Sequence, residues 1–234
     1  MNNLINETPA QALKNIIGRA KFVCDWVLGY STNASILNVG SGHGWLELFL
    51  VTKSSADLIC GIDIDIKILE SATEFRDCKN INFKKSTALN LPYEDNSFDI
   101  IVCSEVLEHI PANSEAIFFR EACRVLKQGG RLFLTTPSYG FLANFTDPAW
   151  LLIGHRHYKL KELFIFGDNA GFEVRESFTS GGFFDLIYIW NLYISKWIFR
   201  RPPFLNRFFQ RFVNQEFDRH RKGFMTNFVL YCKT

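Results

Sequence analysis

Residues 36–44 read ILNVGSGHG, an apolar run that ends on three glycines at alternate positions, Gly40, Gly42 and Gly44, and passes straight into the helix-like run WLELFLVTK. A turn of this kind brings bare backbone against a ligand, because glycine adopts left-handed conformations at no steric cost and carries no Cβ. Nineteen residues beyond Gly44 a second apolar run, DLICGID, ends on Asp63. In a doubly wound sheet that is where a carboxylate takes a ribose diol. Together the two signals predict a nucleotide-like cofactor. The spacing is GxGxG, with Trp45 and Leu46 where the dinucleotide fingerprint needs a small residue and then glycine. This argues against NAD and for a ligand without a pyrophosphate.

Apolar runs suited to strands fall at 35–39, 58–62, 81–84, 98–103, 131–136, 172–178 and 224–232, with helices expected between the first five. A further helix is expected over 8–29, with Thr8 as N-cap, Pro9 at the first helical position and Ile16, Ala20, Val23 and Val27 on one face. Such alternation makes a parallel sheet covered on both faces, with ligands gathering at the carboxyl ends of the strands. No internal repeat or low-complexity linker divides residues 1–234, so a single domain is expected. The last two strands are joined by about 45 residues, far more than a hairpin needs, which marks 183–222 as an insertion.

Six cysteines are scattered without a CxxC pair, several of them inside strand-like runs, and read as reduced thiols of a cytoplasmic protein. The first fifteen residues lack a basic segment followed by an apolar one, so no signal peptide is expected. The net charge of +2 is unevenly placed. Between Lys196 and Lys222 eight basic residues face only Glu216 and Asp218, and the same region is crowded with aromatics.

Two later segments extend the pattern set by the glycine loop and Asp63. STALNLPYEDNSFDIIVCSEVLEHI (86–110) offers a turn and a fourth strand, and EACRVLKQGGRLFLTTPS (121–138) reads as a helix to Lys127, a Gly129-Gly130 turn and a fifth strand. Four motifs in this order over residues 36–138 resemble the class I S-adenosylmethionine-dependent methyltransferases. The resemblance implies a Rossmann-like, doubly wound α/β fold with a seven-stranded sheet, the last strand antiparallel and a helical insertion before it. It implies S-adenosylmethionine as cofactor, with S-adenosylhomocysteine as product. Gly40, Ser41, Gly42 and Gly44 would pass under the methionyl part, Asp63 and Ile64 would meet the ribose, and Thr87, Ala88, Leu89 and Ser104 would complete the site. Two positions depart from the family pattern. Asn38 stands where an acid commonly precedes the glycines and would meet the cofactor's ammonium through its amide oxygen, and Thr87 stands where an acid usually lies near the adenine amino group.

In the family the chemistry lies beside the loop after the fourth strand, here Ser104 to His109. Methyl transfer is an in-line displacement in which the cofactor brings the leaving group, so the protein must align, exclude water and, for a hydroxyl acceptor, take a proton. His109 is one proton acceptor to consider, with a structural part as the alternative. Gly154-His155-Arg156-His157-Tyr158 is similar to a substrate-facing segment of methyltransferases that act on small or lipid-linked acceptors. It offers His155 and His157 as bases, and Arg156 and Tyr158, with Glu105, as contacts to an anionic or hydroxylated acceptor; capping of the next helix is the alternative. No metal is expected, because HxH supplies only two ligands.

The first part of the insertion, 183–199, carries only Asp185 and Lys196 as charges in 17 residues, short of the roughly 20 apolar residues of a membrane span. Beyond it Phe204, Phe208 and Phe212 are expected on one helical face, flanked by Arg207 and Arg211. Basic and aromatic residues together suit an anionic membrane surface, peripheral to its inner face. A lid, or an oligomer contact through 183–222, is the alternative. Nucleic acid is not expected as a partner. The reading from another class is a non-catalytic, membrane-peripheral binding protein that retains the fold, motivated by Asn38 and Thr87.

Overall fold

The structure is a computed structural model that describes residues 16–65, 78, 80–147, 150, 154–201, 203–204, 206–219 and 222–234. Thr8 and Pro9, the expected start of the first helix, lie outside them. So does most of the segment between the second and third strands.

Strands β1 (Ser35–Val39), β2 (Leu58–Asp63), β3 (Ile81–Lys85), β4 (Phe98–Ser104), β5 (Leu126–Pro137), β6 (Phe172–Ser180) and β7 (Thr226–Lys233) form one sheet in the order β3-β2-β1-β4-β5-β7-β6. The first five pair in parallel, and β7 runs antiparallel between β5 and β6. Around them lie helices α1 (Gly18–Leu28), α2 (Trp45–Lys53), α3 (Glu115–Val125), α4 (Phe141–Thr146), α5 (Leu160–Asp168), α6 (Phe183–Ile194) and α7 (Asn206–Arg219). Successive strand residues point to opposite faces, so a strand covered on both sides reads as an unbroken apolar run. Ile36 packs with Val23, Val27, Leu46 and Leu50 on one face. Leu37 and Val39 pack with Phe118, Phe119 and Leu132 on the other.

Two sequence expectations are corrected. Between β3 and β4 there is no helix: residues 86–97 are turns and an isolated bridge between Thr87 and Asn90. Asn90, Pro92, Asp95 and Asn96 crowd this short connection with turn formers, and Asn96 sits at φ +56°. The Arg124 guanidinium ties it down, donating to the carbonyls of Leu91 and Tyr93 and to Asp95. The helix expected to run to Lys127 stops at Val125, and the strand starts at once at Leu126. Gly129 and Gly130 then form a bulge, the ladder jumping from Phe98 opposite Leu126 to Ile100 opposite Arg131. Lys127 leaves the helix to pair with Asp99 at 2.8 Å. Asp99 also accepts the Ser35 N–H at 2.9 Å.

The insertion has two unlike halves. Helix α7 buries Val213 and Phe217 in the same core as Val23, Val27 and Phe228. Gly18, at φ +54°, lets the start of α1 close on it: a Cβ there would lie 2.6 Å from Val213 Cγ1. The Gly18 N–H donates to Asn214 Oδ1 at 2.6 Å. Phe204 precedes α7 instead of sharing its face, and Phe208 is exposed. Helix α6 and the turn after it leave Phe183, Trp197, Ile198 and Phe199 exposed.

Phe217→Ala should lower unfolding stability by about 3–5 kcal/mol, the cost of an emptied aromatic site. Phe208→Ala should stay within about 0.5 kcal/mol. Urea denaturation of the two variants checks the pair.

Candidate functional site

Strands β1 to β5 all end at one edge of the sheet, and Gly40, Asp63, Ser86, Glu105 and Pro137 stand there. Because β7 is antiparallel, its first residues return to the same edge, with Thr226 opposite both Pro137 and Ser180. Two cavities open there.

The first, of about 410 Å³, is lined by Val39, Gly40, Asp63, Ile64, Thr87, Ala88, Glu105, Val106 and His109, among others. Gly40, Gly42 and Gly44 all have positive φ, at +76°, +54° and +75°. The N–H groups of Gly40 and Ser41 donate to Ile62 O at 2.8 and 2.9 Å, folding the loop across the end of β2. A Cβ on Gly40 would run into the Val106 side chain, whereas one on Gly42 would meet nothing within 4 Å. The Asp63 carboxylate accepts the Gly42 N–H and the Asp65 N–H, each at 3.0 Å. An ionised carboxylate has about four acceptor positions, so others remain for a diol. Thr87 Oγ1 accepts the Leu89 N–H at 3.3 Å and shapes its own turn. Ser104 Oγ lies 2.9 Å from Thr135 Oγ1. Ile64, 70% exposed, gives the cavity an apolar wall.

The second cavity, of about 350 Å³, shares Glu105 with the first and is lined by Arg19, Asp147, His155, His157 and one side of α6. Glu105 stands at φ +56° and bridges the two cavities, accepting from Thr135 Oγ1 at 3.0 Å and pairing with Arg19 at 2.8 Å. Burial opposes the charge on Arg19, but Glu105, Asp185, Glu108 and Asp147 together more than offset it and hold its pKa above the usual value. His157 has Asn144 Oδ1 at 2.8 Å from Nδ1 and Asp147 Oδ2 at 3.0 Å from Nε2. His155 has Asp147 Oδ2 3.9 Å from Nδ1, and its buried Nε2 has no partner among the described residues. The His109 ring meets His155 edge to face at 4.4 Å, so two histidines 46 positions apart in the sequence share one wall. Burial lowers the pKa of both, against the pull of Asp147 on His155 and of Glu105 on His109.

Arg156 and Tyr158 are engaged elsewhere. Arg156 donates to the carbonyls of Leu107, Glu108 and Ile110 and pairs with Glu115. The Tyr158 hydroxyl, in a buried side chain, donates to Leu107 O or Glu115 Oε1. Their donors meet carbonyls left unpaired where β4 ends and so hold the 105–110 loop, and both residues also line, with His155 and His157, a further cavity of about 760 Å³.

Residues 37–134 match the family model described as a methyltransferase domain. Over this core the chain is similar to the class I S-adenosylmethionine-dependent methyltransferases. An uncharacterized methyltransferase, YcgJ of Bacillus subtilis, is 34% identical over 102 residues, covering 42% of this chain and 39% of that one. Its crystal structure superposes with a TM-score of 0.62 at 19% identity over 90% of this chain and 97% of that one, a likeness of fold. The 27-O-demethylrifamycin SV methyltransferase of Amycolatopsis mediterranei is 34% identical over 44% of this chain and 40% of its own. A ubiquinone biosynthesis O-methyltransferase of Coxiella burnetii is 30% identical over 46% and 45%. The matches thus span about two fifths of the length of the curated relatives.

Members of the family take S-adenosylmethionine as methyl donor and release S-adenosylhomocysteine, and the methyltransferase edge fits that group. The open space over Gly42, the pinned Asp63 and the apolar Ile64 suit backbone approach, a diol and a flat ring. The departure at Asn38 has an internal counterpart. Asn38 is buried and donates to Glu47 Oε1 at 2.9 Å, so an acid one turn into α2 meets the amide where the family has an acid on β1. Glu47 is fully buried, its other oxygen has no partner among the described residues, and burial pushes its carboxyl up to about 8. Asn38 thus spends its Nδ2 on Glu47, while the expected contact with the cofactor's ammonium concerns its amide oxygen. Among the described residues no group of three or more His, Cys, Asp or Glu is placed to hold a metal ion.

Sequence reasoning missed Glu47, Asp147, Arg19 and Asp185. Only Asp185 had a visible signal, as one of two charges in a long apolar run.

A carboxyl whose folded pKa is raised stabilises the fold while both states hold the proton, and loses that contribution as pH climbs from the unfolded value of 4.5 to about 8. The melting temperature of Glu47→Gln relative to the parent should therefore rise between pH 5 and pH 8 and level off above, as thermal melts across that range would show.

Proposed function

We propose that this chain transfers the methyl group of S-adenosylmethionine to a hydroxyl or amine of a small or lipid-linked acceptor. The observation that carries the reading is the junction of the two cavities at Glu105, with the glycine loop and Asp63 on one side and His155, Asp147 and Arg19 on the other. When bound, S-adenosylmethionine supplies an activated methyl on a sulfonium. Gly40, Gly42, Asp63, Ile64, Thr87 and Ala88 would hold it. His155, kept neutral by burial and with Nε2 free of protein partners among the described residues, takes the proton that the acceptor gives up. Asp147 sits between His155 and His157, hydrogen-bonded to His157 at 3.0 Å and 3.9 Å from His155 Nδ1. His109 backs His155 from the cofactor side. The names of the rifamycin and ubiquinone-pathway relatives place their methyl groups on oxygen, which supports a hydroxyl acceptor.

In this reading the insertion roofs the acceptor cavity. Helix α6 faces it with Asp185, Tyr188, Ile189, Leu192 and Tyr193. The exposed Trp197, Ile198 and Phe199 beside Arg200 and Arg201 support contact with an anionic lipid surface. Among the described residues no helix is long and apolar enough to cross a membrane.

Calorimetry should find S-adenosylhomocysteine bound at micromolar concentration, with Asp63→Ala weakening it at least about tenfold. No binding at millimolar concentration would leave the non-catalytic reading. With methyl-tritiated cofactor and a fractionated cell extract, label should enter the lipid or soluble small-molecule fraction. His155→Asn should cut that incorporation about a hundredfold while sparing S-adenosylhomocysteine binding. In flotation assays the protein should bind vesicles rich in phosphatidylserine and not neutral ones; flotation with neither, or self-association that buries Trp197, would favour the lid or oligomer role.

A further inference from the structure

Residues 185, 188, 189, 192 and 193 recur at helical spacing, so α6 turns one continuous stripe toward the acceptor cavity. The stripe begins with a carboxylate. Asp185 is only 7% exposed, and its Oδ2 has no hydrogen-bond partner among the described residues. An unsatisfied buried carboxylate oxygen is costly, so such a group calls for an explanation.

The structural explanations are taken by other residues. The start of α6 is capped by Glu216, whose carboxylate accepts the N–H groups of Phe184 at 3.2 Å and Asp185 at 2.9 Å, so the Asp185 side chain is not needed there. Arg19 spends its close ion pair on Glu105 at 2.8 Å, and no cation stands within ion-pair distance of Asp185 among the described residues. The preceding turn leaves room for the free oxygen. Gly181 stands at φ +77°, and a Cβ there would lie 2.7 Å from Asp185 Oδ2.

The charges around the cavity are unbalanced. Glu105, Asp147 and Asp185 line it, against Arg19 as the one permanently positive group that lines the cavity among the described residues. Burial keeps His155 toward its neutral form. Tyr188 and Tyr193, with Ile189 and Leu192, supply the aromatic and apolar part of the wall. An anion entering would meet surplus negative charge, whereas an ammonium gains a charge-assisted hydrogen bond and aromatic faces.

We propose that Asp185 is an acceptor-binding residue that selects a compact molecule bearing a protonated amine on an apolar or aromatic frame, and that the cavity rejects its anionic counterparts. This rests on the methyltransferase reading for what happens to the molecule, not for what the cavity binds. Burial, together with Glu216 and Glu105, outweighs the pull of Arg19 and pushes the Asp185 carboxyl up to about 6, as expected of a group awaiting a positive partner.

The test compares three probes of one frame, phenethylamine, 2-phenylethanol and phenylacetate, titrated by calorimetry or ligand-observed NMR with and without saturating S-adenosylhomocysteine. Phenethylamine should bind at least about tenfold more tightly than phenylacetate. Asp185→Asn should reduce that preference at least about fivefold, with the melting temperature and S-adenosylhomocysteine affinity unchanged; Asp185→Ser serves if Asn perturbs folding. Equal or tighter binding of phenylacetate, no binding of the amine, or a preference that survives both substitutions would overturn the assignment. Failure of S-adenosylhomocysteine to bind would instead count against the methyltransferase reading, and the amine preference would still be read from the titrations without it.

Discussion

The antiparallel insertion of β7 between β5 and β6 is the constraint on which the rest of the structure depends. Its ladder runs from Arg131 opposite Cys232 to Pro137 opposite Thr226, and from Phe172 opposite Lys233 to Ser180 opposite Thr226. Strand β6 is thereby parallel to β5, and everything between β6 and β7 must leave and re-enter the sheet at its carboxyl edge. The aromatic, basic insertion therefore lies over the edge that carries the glycine loop. Helix α7 is held by Val213 and Phe217 in the core shared with α1, and α6 is left to cover the acceptor cavity. The same edge receives the segment after β5, where Tyr158 N donates to Pro137 O and Asn227 Nδ2 to Tyr158 O. That pairing fixes His155 within reach of His109.

Low dielectric surroundings give these cavities their character. Glu47, Glu108 and Asp185 are all buried carboxyls whose ordinary ionisation is opposed by desolvation, and each leaves one oxygen without a partner among the described residues. Such groups cost stability, and proteins keep them where polarity is used. Asp185 opens on the acceptor cavity, whereas Glu47 sits beneath the glycine loop, against Asn38 and Gly61. Moving an acid from β1 to α2 preserves polar character under the loop while shifting it off the strand, which is why a position-by-position reading of β1 sees only a loss.

A close approach explains several small residues at once. Gly40 must lack a side chain because Val106, from the loop after β4, occupies that space, and Gly61 makes room for Glu47 and Phe83. Packing of the β4 loop against the glycine loop closes the floor between the two cavities, and Arg156 and Tyr158 hold it there from behind.

The sequence alone determined the sheet, its ligand edge and the cofactor class, because period-two and period-3.6 patterns, the three alternate glycines and Asp63 are local signals read within a few residues. It also showed that 183–222 was long and unusual in composition. It misplaced the end of α3, where Gly129 and Gly130 make a bulge and not a helix stop, since both uses exploit the same freedom in φ. Only tertiary structure decided that His109 and His155 share a wall, that Arg156 is consumed by carbonyls, that Arg19 meets Glu105 across 86 positions, and that Asp185 faces a cavity. These depend on which loops the strand order brings together and on what burial does to charge, and neither is written in the spacing of residues along the chain.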